Sequence, residues 1–246
     1  MEVLALLVAV AALAGFIDAI AGGGGLLALP ALLWAGLPPI QALATNKLQG
    51  SFGTFAASWN FVQRGEIALK PLRVPILMTF VGSASGTLAV QQLGANLLGQ
   101  LVPLLLIVFA LYFLFSPRVG DSDAQQRIGH VVFGLAVGFG VGFYDGFFGP
   151  GTGSFFAIAF VLLLGYNLRR ATAGTKVLNF TSNMASLIFF ALAGQVVWQV
   201  GLAMGAAQMA GAWLGSQMVI RHGTRLIRPV LVLVSLAISL RLRLAD

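Results

Sequence analysis

Long runs of apolar residues, interrupted by short polar or glycine-rich stretches, set the pattern of this chain. Runs of this length with so few charges are typical of helices that cross a lipid bilayer. The pattern therefore predicts an all-α polytopic membrane protein with ten apolar segments. These segments cover approximately residues 3–21, 26–37, 42–62, 72–92, 97–116, 128–148, 153–165, 171–192, 198–219 and 226–244.

Two of the segments, 26–37 and 153–165, are unusually short. A helix of about 12 residues is roughly 18 Å long, whereas the hydrocarbon core of a bilayer is about 30 Å thick. Each short segment follows a helix that ends in an aspartate and a run of glycines, at 15–25 and 142–154. Non-helical backbone at membrane depth is tolerated only where protein or a watery cavity satisfies its hydrogen bonds. Two such breaks in corresponding places point to the binding site of a transporter.

The two glycine-broken regions belong to an internal repeat. Asp145 follows Asp18 at an offset of 127 residues, and a two-residue insertion then changes the offset to 129. Several further residues match at that constant offset, which chance rarely produces. The matches are Gly36 with Gly165, Lys47 with Lys176, Gly65 with Gly194, and Gly82 and Gly86 with Gly211 and Gly215. The chain therefore divides into an N-terminal membrane repeat, 1–117, a cytoplasmic linker, 118–127, and a C-terminal membrane repeat, 128–246.

Glycines spaced four residues apart predict close packing of helices within the membrane. One such stripe contains Gly134, Gly138, Gly142 and Gly146. The Gly-x-x-x-Gly pair in each repeat is expected to pack the two halves together. A homodimer formed through the same pairs is the alternative.

The distribution of charge predicts the orientation in the membrane. Only 9% of the residues are charged, against about 25% in soluble domains. The 14 basic residues exceed the 7 acidic ones and are spread among the loops, which indicates contact with anionic lipid and not with nucleic acid. Ten of the 14 lie after segments three, five, seven and nine. If every segment crosses, these loops share the cytoplasmic side, and we predict two inverted five-segment repeats with periplasmic termini.

A second topology has to be weighed. If the short segments only re-enter the membrane, the halves are parallel, and Arg169 and Arg170 face the opposite side from Arg64. The positive-inside rule disfavours that arrangement, although Arg241 and Arg243 near the C-terminus also run against the inverted one. The first 21 residues lack the basic start of a signal peptide and are interpreted as a retained first helix.

Residue types limit the chemistry. The chain has no cysteine and two isolated histidines, His130 and His222, both near predicted loops and expected to be solvated. These counts predict no disulfide, no thiol nucleophile, no metal site and no cofactor.

Four ionisable residues lie within or beside the apolar segments: Asp18, Lys47, Asp145 and Lys176. Placing a charge at the centre of a bilayer costs about 2.5–3.5 kcal/mol, so four of them require a reason. One hypothesis is structural, with each aspartate pairing with a lysine or capping a helix end. The other is functional: the lysines face a central cavity and attract an anion, while the aspartates tune that site or carry protons.

Polar residues surround each lysine. Lys176, Asn179 and Asn183 recur along one helical face, and the stretch 45–54 is similarly polar. Amide and hydroxyl groups near a glycine turn at a helix N-terminus suit an oxyanion, although hydrogen bonding between helices is an alternative use. The predicted substrate-binding residues are Gly22, Gly23, Gly24, Asn46, Lys47, Gln49, Gly149, Gly151, Thr152, Gly153, Thr175, Lys176, Asn179 and Asn183, with Asp18 and Asp145 as coupling residues.

Three of these stretches, 44–50, 144–154 and 175–183, carry a family resemblance. They read Ala-Thr-Asn-Lys-Leu-Gln-Gly, Tyr-Asp-Gly-Phe-Phe-Gly-Pro-Gly-Thr-Gly-Ser and Thr-Lys-Val-Leu-Asn-Phe-Thr-Ser-Asn. Together they resemble the TauE/SafE family, the sulfite and organosulfonate exporters of bacterial inner membranes, over essentially the whole chain. The resemblance implies a secondary carrier that exports sulfite, sulfoacetate or a related sulfur-containing anion. That family is usually drawn with fewer helices than the ten crossings favoured by the basic loops.

Other functions fit the residues less well. An intramembrane aspartyl hydrolase would use Asp18 and Asp145 as two carboxylates that share a proton, but the glycine-aspartate partner motif of presenilin-type proteases is absent and the lysines stay unexplained. A passive anion channel would have the same basic cavity without a coupling group. We therefore predict a transporter and not an enzyme, with a small anion and the lipid bilayer as its partners. Proton coupling is left open.

Overall fold

The computed structural model describes residues 2–94, 97–102, 104–105 and 124–222. All regular elements in these ranges are helical, and they reproduce eight of the ten predicted segments. The predicted segment 226–244 lies outside the described residues, as do most of segment 97–116 and of the linker 118–127. The helices are α1 Glu2–Ala21, α2 Gly25–Trp34, α3 Pro39–Gln63, α4 Arg73–Gln91, α5 His130–Phe147, α6 Thr152–Leu164, α7 Leu168–Leu192 and α8 Trp198–His222.

The helices differ in length as the apolar pattern predicts. By length and composition α1, α5 and the stretch Lys70–Gln91, which contains α4 and a preceding 3₁₀ turn, are suited to cross a membrane. The helices α2 and α6 are also apolar but have only 10 and 13 residues. Within α5, residues Gly134–Gly138 form one π-helical turn, an irregularity that the sequence pattern does not reveal.

Four glycines with left-handed backbone follow the ends of helices. Gly36 and Gly165 follow α2 and α6 with φ of +87° and +70°, and Gly65 and Gly194 follow α3 and α7 with φ of +71° and +67°. Glycine is favoured at such left-handed positions because it has no Cβ. Both pairs are separated by the offset of 129 residues found in the sequence, so the two halves end equivalent helices in the same way.

Glycines hold the halves together through reciprocal helix pairs. A Cβ at Gly211 or Gly215 of α8 would lie 2.0 or 2.5 Å from a backbone oxygen of α1. A Cβ at Gly82 or Gly86 of α4 would lie 2.2 or 2.0 Å from a backbone oxygen of α5. The first helix of each half therefore packs against the fourth helix of the other, as expected for glycines that permit close backbone approach.

The helices α3 and α7 are equivalent in the repeat and run antiparallel to each other. Phe55 of α3 contacts Phe180 of α7, with ring centroids 5.4 Å apart. Before Phe55, the Thr45 hydroxyl accepts a hydrogen bond from the backbone N–H of Val197, beyond the end of α7. After it, Glu66 forms an ion pair with Arg169 at the start of α7. Residue numbers thus rise along α3 as they fall along its partner.

His130 differs from its expected solvated state. It begins α5, is partly buried, and one ring nitrogen lies 2.8 Å from the Tyr166 hydroxyl. The guanidinium of Arg170 lies 3.8 Å from the centre of the same tyrosine ring. This histidine therefore belongs to a packed polar cluster between the starts of α5 and α7. The side chain of His222 is not among those described.

Candidate functional site

The two glycine turns that interrupt the helices meet each other inside the protein. Gly22 and Gly23 after α1, and Gly149 and Gly151 after α5, have φ of +74°, +105°, +99° and +90°. A Cβ on Gly22 would lie 2.9 Å from the backbone of Gly153, which explains why this contact needs glycine. The short helices α2 and α6 therefore begin side by side, each from a different half of the chain.

Asp18 organises the first turn. One of its carboxylate oxygens accepts hydrogen bonds of 3.1 Å from the backbone N–H groups of Gly23 and Gly24. The other accepts from the Lys176 ammonium at 2.9 Å. A carboxylate that accepts backbone N–H groups at a helix start compensates the positive end of the helix dipole. Asp18 thus ties the start of α2 to α7.

Asp145 organises the second turn with different donors. Its carboxylate lies 2.9 Å from the Lys47 ammonium and accepts a 2.7 Å hydrogen bond from the Thr152 hydroxyl at the start of α6. The Ser182 hydroxyl of α7 donates to its other oxygen. The neighbouring Tyr144 hydroxyl donates to the Pro150 carbonyl and so braces the turn itself.

The two ion pairs are reciprocal, because each aspartate binds the lysine of the opposite half. The side chains of Lys47 and Lys176 are only 2% and 1% exposed. Breaking one partner of such a buried pair typically costs about 3–5 kcal/mol, since the remaining charge is left without compensation. The structure therefore supports the part of the structural hypothesis in which each aspartate pairs with a lysine. Both pairs connect one half of the chain to the other.

A small polar cavity lies beside the two turns, with a volume of about 40 Å³, enough for a few water molecules. Eleven of the predicted site residues line it: Asp18, Gly23, Asn46, Lys47, Asp145, Gly149, Gly151, Thr152, Gly153, Asn179 and Asn183. Five others, Gly22, Gly24, Gln49, Thr175 and Lys176, are nearby but do not line it. Four residues outside the predicted set also line the cavity: Gly25, Gly50, Thr54 and Gln208.

Gln208 is a polar cavity residue that the predicted set lacks and, unlike Thr54, it lies outside the polar stretch 45–54. It comes from α8, and its only sequence signal is an amide in the middle of an apolar segment. Of the other amides, Asn46 accepts a 2.8 Å hydrogen bond from Gln49, and Asn183 donates to Thr54 at 3.4 Å. The side-chain oxygens of Asn179 and Gln208 are buried without a hydrogen-bond partner among the described residues.

Comparison with known proteins identifies the family. Residues 7–242 match the family model described as sulfite exporter TauE/SafE. The chain belongs to the TauE/SafE family. The probable membrane transporter protein YfcA of Escherichia coli K12 is 51% identical over 233 residues, which cover 95% of this chain and 87% of that protein. A probable membrane transporter protein of Haemophilus influenzae is 47% identical over 241 residues, or 98% of this chain and 94% of that one.

A more distant relative extends the pattern, since the probable membrane transporter protein YunE of Bacillus subtilis is 23% identical over 238 residues, covering 87% of this chain and 86% of that protein. No solved structure matches the chain. As a TauE/SafE protein, the chain is a membrane transporter and not an enzyme, which confirms the prediction from the sequence.

Proposed function

We propose that this protein is a secondary transporter of the bacterial inner membrane that exports a small sulfur-containing oxyanion, such as sulfite or sulfoacetate. The observation that carries the proposal is the cavity between the two glycine turns. The starts of α2 and α6 meet there, and helix starts favour anions because their N–H groups and dipoles are directed outward. Lys47 and three asparagines in the cavity wall supply further hydrogen-bond donors.

The mechanism we propose is alternating access between two inverted halves. Halves built around discontinuous helices can rock against each other about a central site. The antiparallel packing of α3 with α7 supports the inversion, because parallel halves would place these two equivalent helices parallel to each other. In this mechanism the reciprocal ion pairs hold the halves together, and Asp18 and Asp145 are the candidates for coupling to protons.

The topology has a direct test, because the chain contains no cysteine. Arg64 and Ala193 are equivalent positions in the two repeats, and both are exposed at the end of a helix. In inverted halves, Arg64→Cys should react with a membrane-impermeant maleimide only from the cytoplasm, and Ala193→Cys only from the periplasm. Labelling of both from the same side would contradict inversion and restore the parallel arrangement.

Transport itself is tested in proteoliposomes by measuring sulfite and sulfoacetate flux with and without a pH gradient. We expect saturable flux, and Lys47→Gln should reduce it by at least about tenfold, because one interaction of about 1.4 kcal/mol with a charged group corresponds to that factor. Lys70→Gln is the matched control, since Lys70 is exposed outside the cavity. Flux that responds to the gradient would assign proton coupling, and saturable flux that ignores it would indicate a uniporter.

Absence of flux for both anions from well-folded protein would overturn the proposed cargo. Flux that rises linearly with concentration would favour a passive channel over a carrier. Equal activity of the Lys47 and Lys70 variants would remove the cavity from the transport path.

A further inference from the structure

We propose that the cavity selects a monoanion that carries its own hydrogen-bond donor, and that the side-chain oxygens of Gln208 and Asn179 accept from that donor. This inference rests on the proposed function, because it specifies the charge and the hydrogen-bonding form of the transported oxyanion. The cavity is then expected to prefer hydrogen sulfite to the sulfite dianion, and sulfonates with a hydroxyl group to sulfonates without one.

The charges around the cavity balance. Two lysines and two aspartates form ion pairs at or beside it, so their formal charges cancel and an incoming anion meets no net positive charge from these side chains. The cost of removing an ion from water rises with the square of its charge, so a dianion loses roughly four times the hydration energy of a monoanion. The N–H groups of two helix starts compensate about one charge between them. This arrangement favours a monoanion.

Two side chains in the cavity wall have donors free to hold the anion. The Lys47 ammonium has three N–H groups, and among the described residues its one hydrogen-bonded partner is Asp145. Two N–H groups are thus available to a ligand without breaking the ion pair. The carbonyl oxygen of Asn46 is occupied by Gln49, which leaves its NH₂ group as the part that can face an anion.

The cavity wall also contains hydrogen-bond acceptors, which an anion without a donor group does not need. Asn179 and Gln208 are 5% and 4% exposed, and their side-chain oxygens have no hydrogen-bond partner in the described part of the chain. A buried acceptor left unpaired costs about 1–3 kcal/mol. The hydroxyl protons of Thr54 and Thr152, which also line the cavity, are already donated to Gly50 and Asp145. A ligand with its own O–H or N–H group supplies what these two oxygens lack.

The position of Gln208 is built into the packing of three helices. A Cβ on Gly53 of α3 would lie 2.7 Å from the Gln208 Cγ, and one on Gly15 of α1 would lie 2.8 Å from the same atom. These two glycines therefore make the room that the amide occupies. At the equivalent place in the other half the residue is Thr79, beside Gly142, and it does not line the cavity. Gln208 thus makes the cavity chemically unequal on its two sides.

The experiment compares three sulfonates in proteoliposomes: 2-hydroxyethanesulfonate, ethanesulfonate and the dianion sulfoacetate. The wild-type protein should transport the hydroxyl-bearing monoanion about tenfold faster than ethanesulfonate, because a site with buried acceptors discriminates against an analogue that lacks the donor. Sulfoacetate should be slower still. In a parallel series with sulfite, the initial rate should follow the concentration of hydrogen sulfite as pH crosses its ionisation.

The variant Gln208→Leu removes the acceptor while keeping a similar volume. It should lower the ratio of the two monoanion rates to about two or less, since only the hydroxyl-bearing substrate donates to the lost oxygen. Gln199→Leu on the exposed surface of the same helix is the control, and Gln208→Met serves if the leucine variant fails to fold.

The possible outcomes distinguish a failure of the substrate preference from a failure of the proposed transport function. Equal rates for the two monoanions in the wild-type protein, or a faster rate for sulfoacetate, would overturn the selection of a donor-bearing monoanion. If the Gln208 variants keep the wild-type ratio of 2-hydroxyethanesulfonate to ethanesulfonate rates, Gln208 does not accept a hydrogen bond from the substrate. If the wild-type protein transports neither sulfite nor any sulfonate, the proposed function fails instead.

Discussion

Asp18→Asn should destabilise the folded protein by about 3–5 kcal/mol, the cost of leaving a buried charge without its partner. The charge in question is Lys176, which is fully buried and hydrogen-bonded to Asp18 at 2.9 Å. The pair joins α1 of the first half to α7 of the second, so its loss also weakens the contact between halves. The shift is measured as the change in free energy of unfolding in detergent micelles.

The control is an ion pair of the same kind near a helix end. Glu66→Gln breaks the contact with Arg169, a partly exposed pair whose glutamate and arginine side chains are 16% and 38% exposed. Its loss should therefore cost less than that of the central pair, closer to the roughly 0–1 kcal/mol typical of exposed pairs. Combining Asp18→Asn with Lys176→Met should recover most of the lost stability, because no buried charge is then left unpaired. Equal losses for Glu66→Gln and Asp18→Asn, or simple additivity in the double variant, would show that the central pair is no stronger than a surface pair.

This pairing marks the limit of what could be predicted from the sequence. The four charged residues and their offset were predictable, because charges are rare in apolar segments and two copies of one motif stand out. The partners were not predictable. Each half has its own aspartate and lysine at about the same separation along the chain, so pairing within a half was equally compatible with the sequence. Only the antiparallel contact of α3 with α7 brings each lysine to the aspartate of the other half.

Helix positions were easier to predict than the cavity. Apolar runs and left-handed glycines such as Gly36 and Gly165 determine where helices begin and end, and these signals are local. Gln208 gives no comparable signal, because one amide in an apolar segment is equally compatible with helix packing. Its place in the cavity depends on Gly15 and Gly53 from two other helices. The assignment of substrate-binding roles to the cavity residues stays a prediction.

Gly146→Ala should destabilise the protein by about 1–3 kcal/mol, the usual cost of forcing an extra methyl group into a packed interior. A Cβ at this position would lie 2.0 Å from the Ser83 carbonyl oxygen, so α5 and α4 would have to separate. The Ser83 hydroxyl lies within 2.8 Å of the Ser186 hydroxyl and donates to the Ser182 carbonyl at 2.7 Å. Separation would therefore also strain the contact with α7, whose Ser182 holds Asp145.

Gly140→Ala on the same helix is the control and should stabilise the protein slightly. Nothing lies within 4 Å of a Cβ at Gly140, and alanine stabilises a helix by roughly 0.5–1 kcal/mol relative to glycine. The two substitutions add the same methyl group to α5, so a difference in sign between their unfolding free energies isolates the contact between halves. If Gly146→Ala is as stable as Gly140→Ala, α4 and α5 must separate without cost, and the glycine stripe cannot be what joins the two halves. If it is destabilised as expected, transport should fall with it, because the displaced face of α5 also carries Asp145.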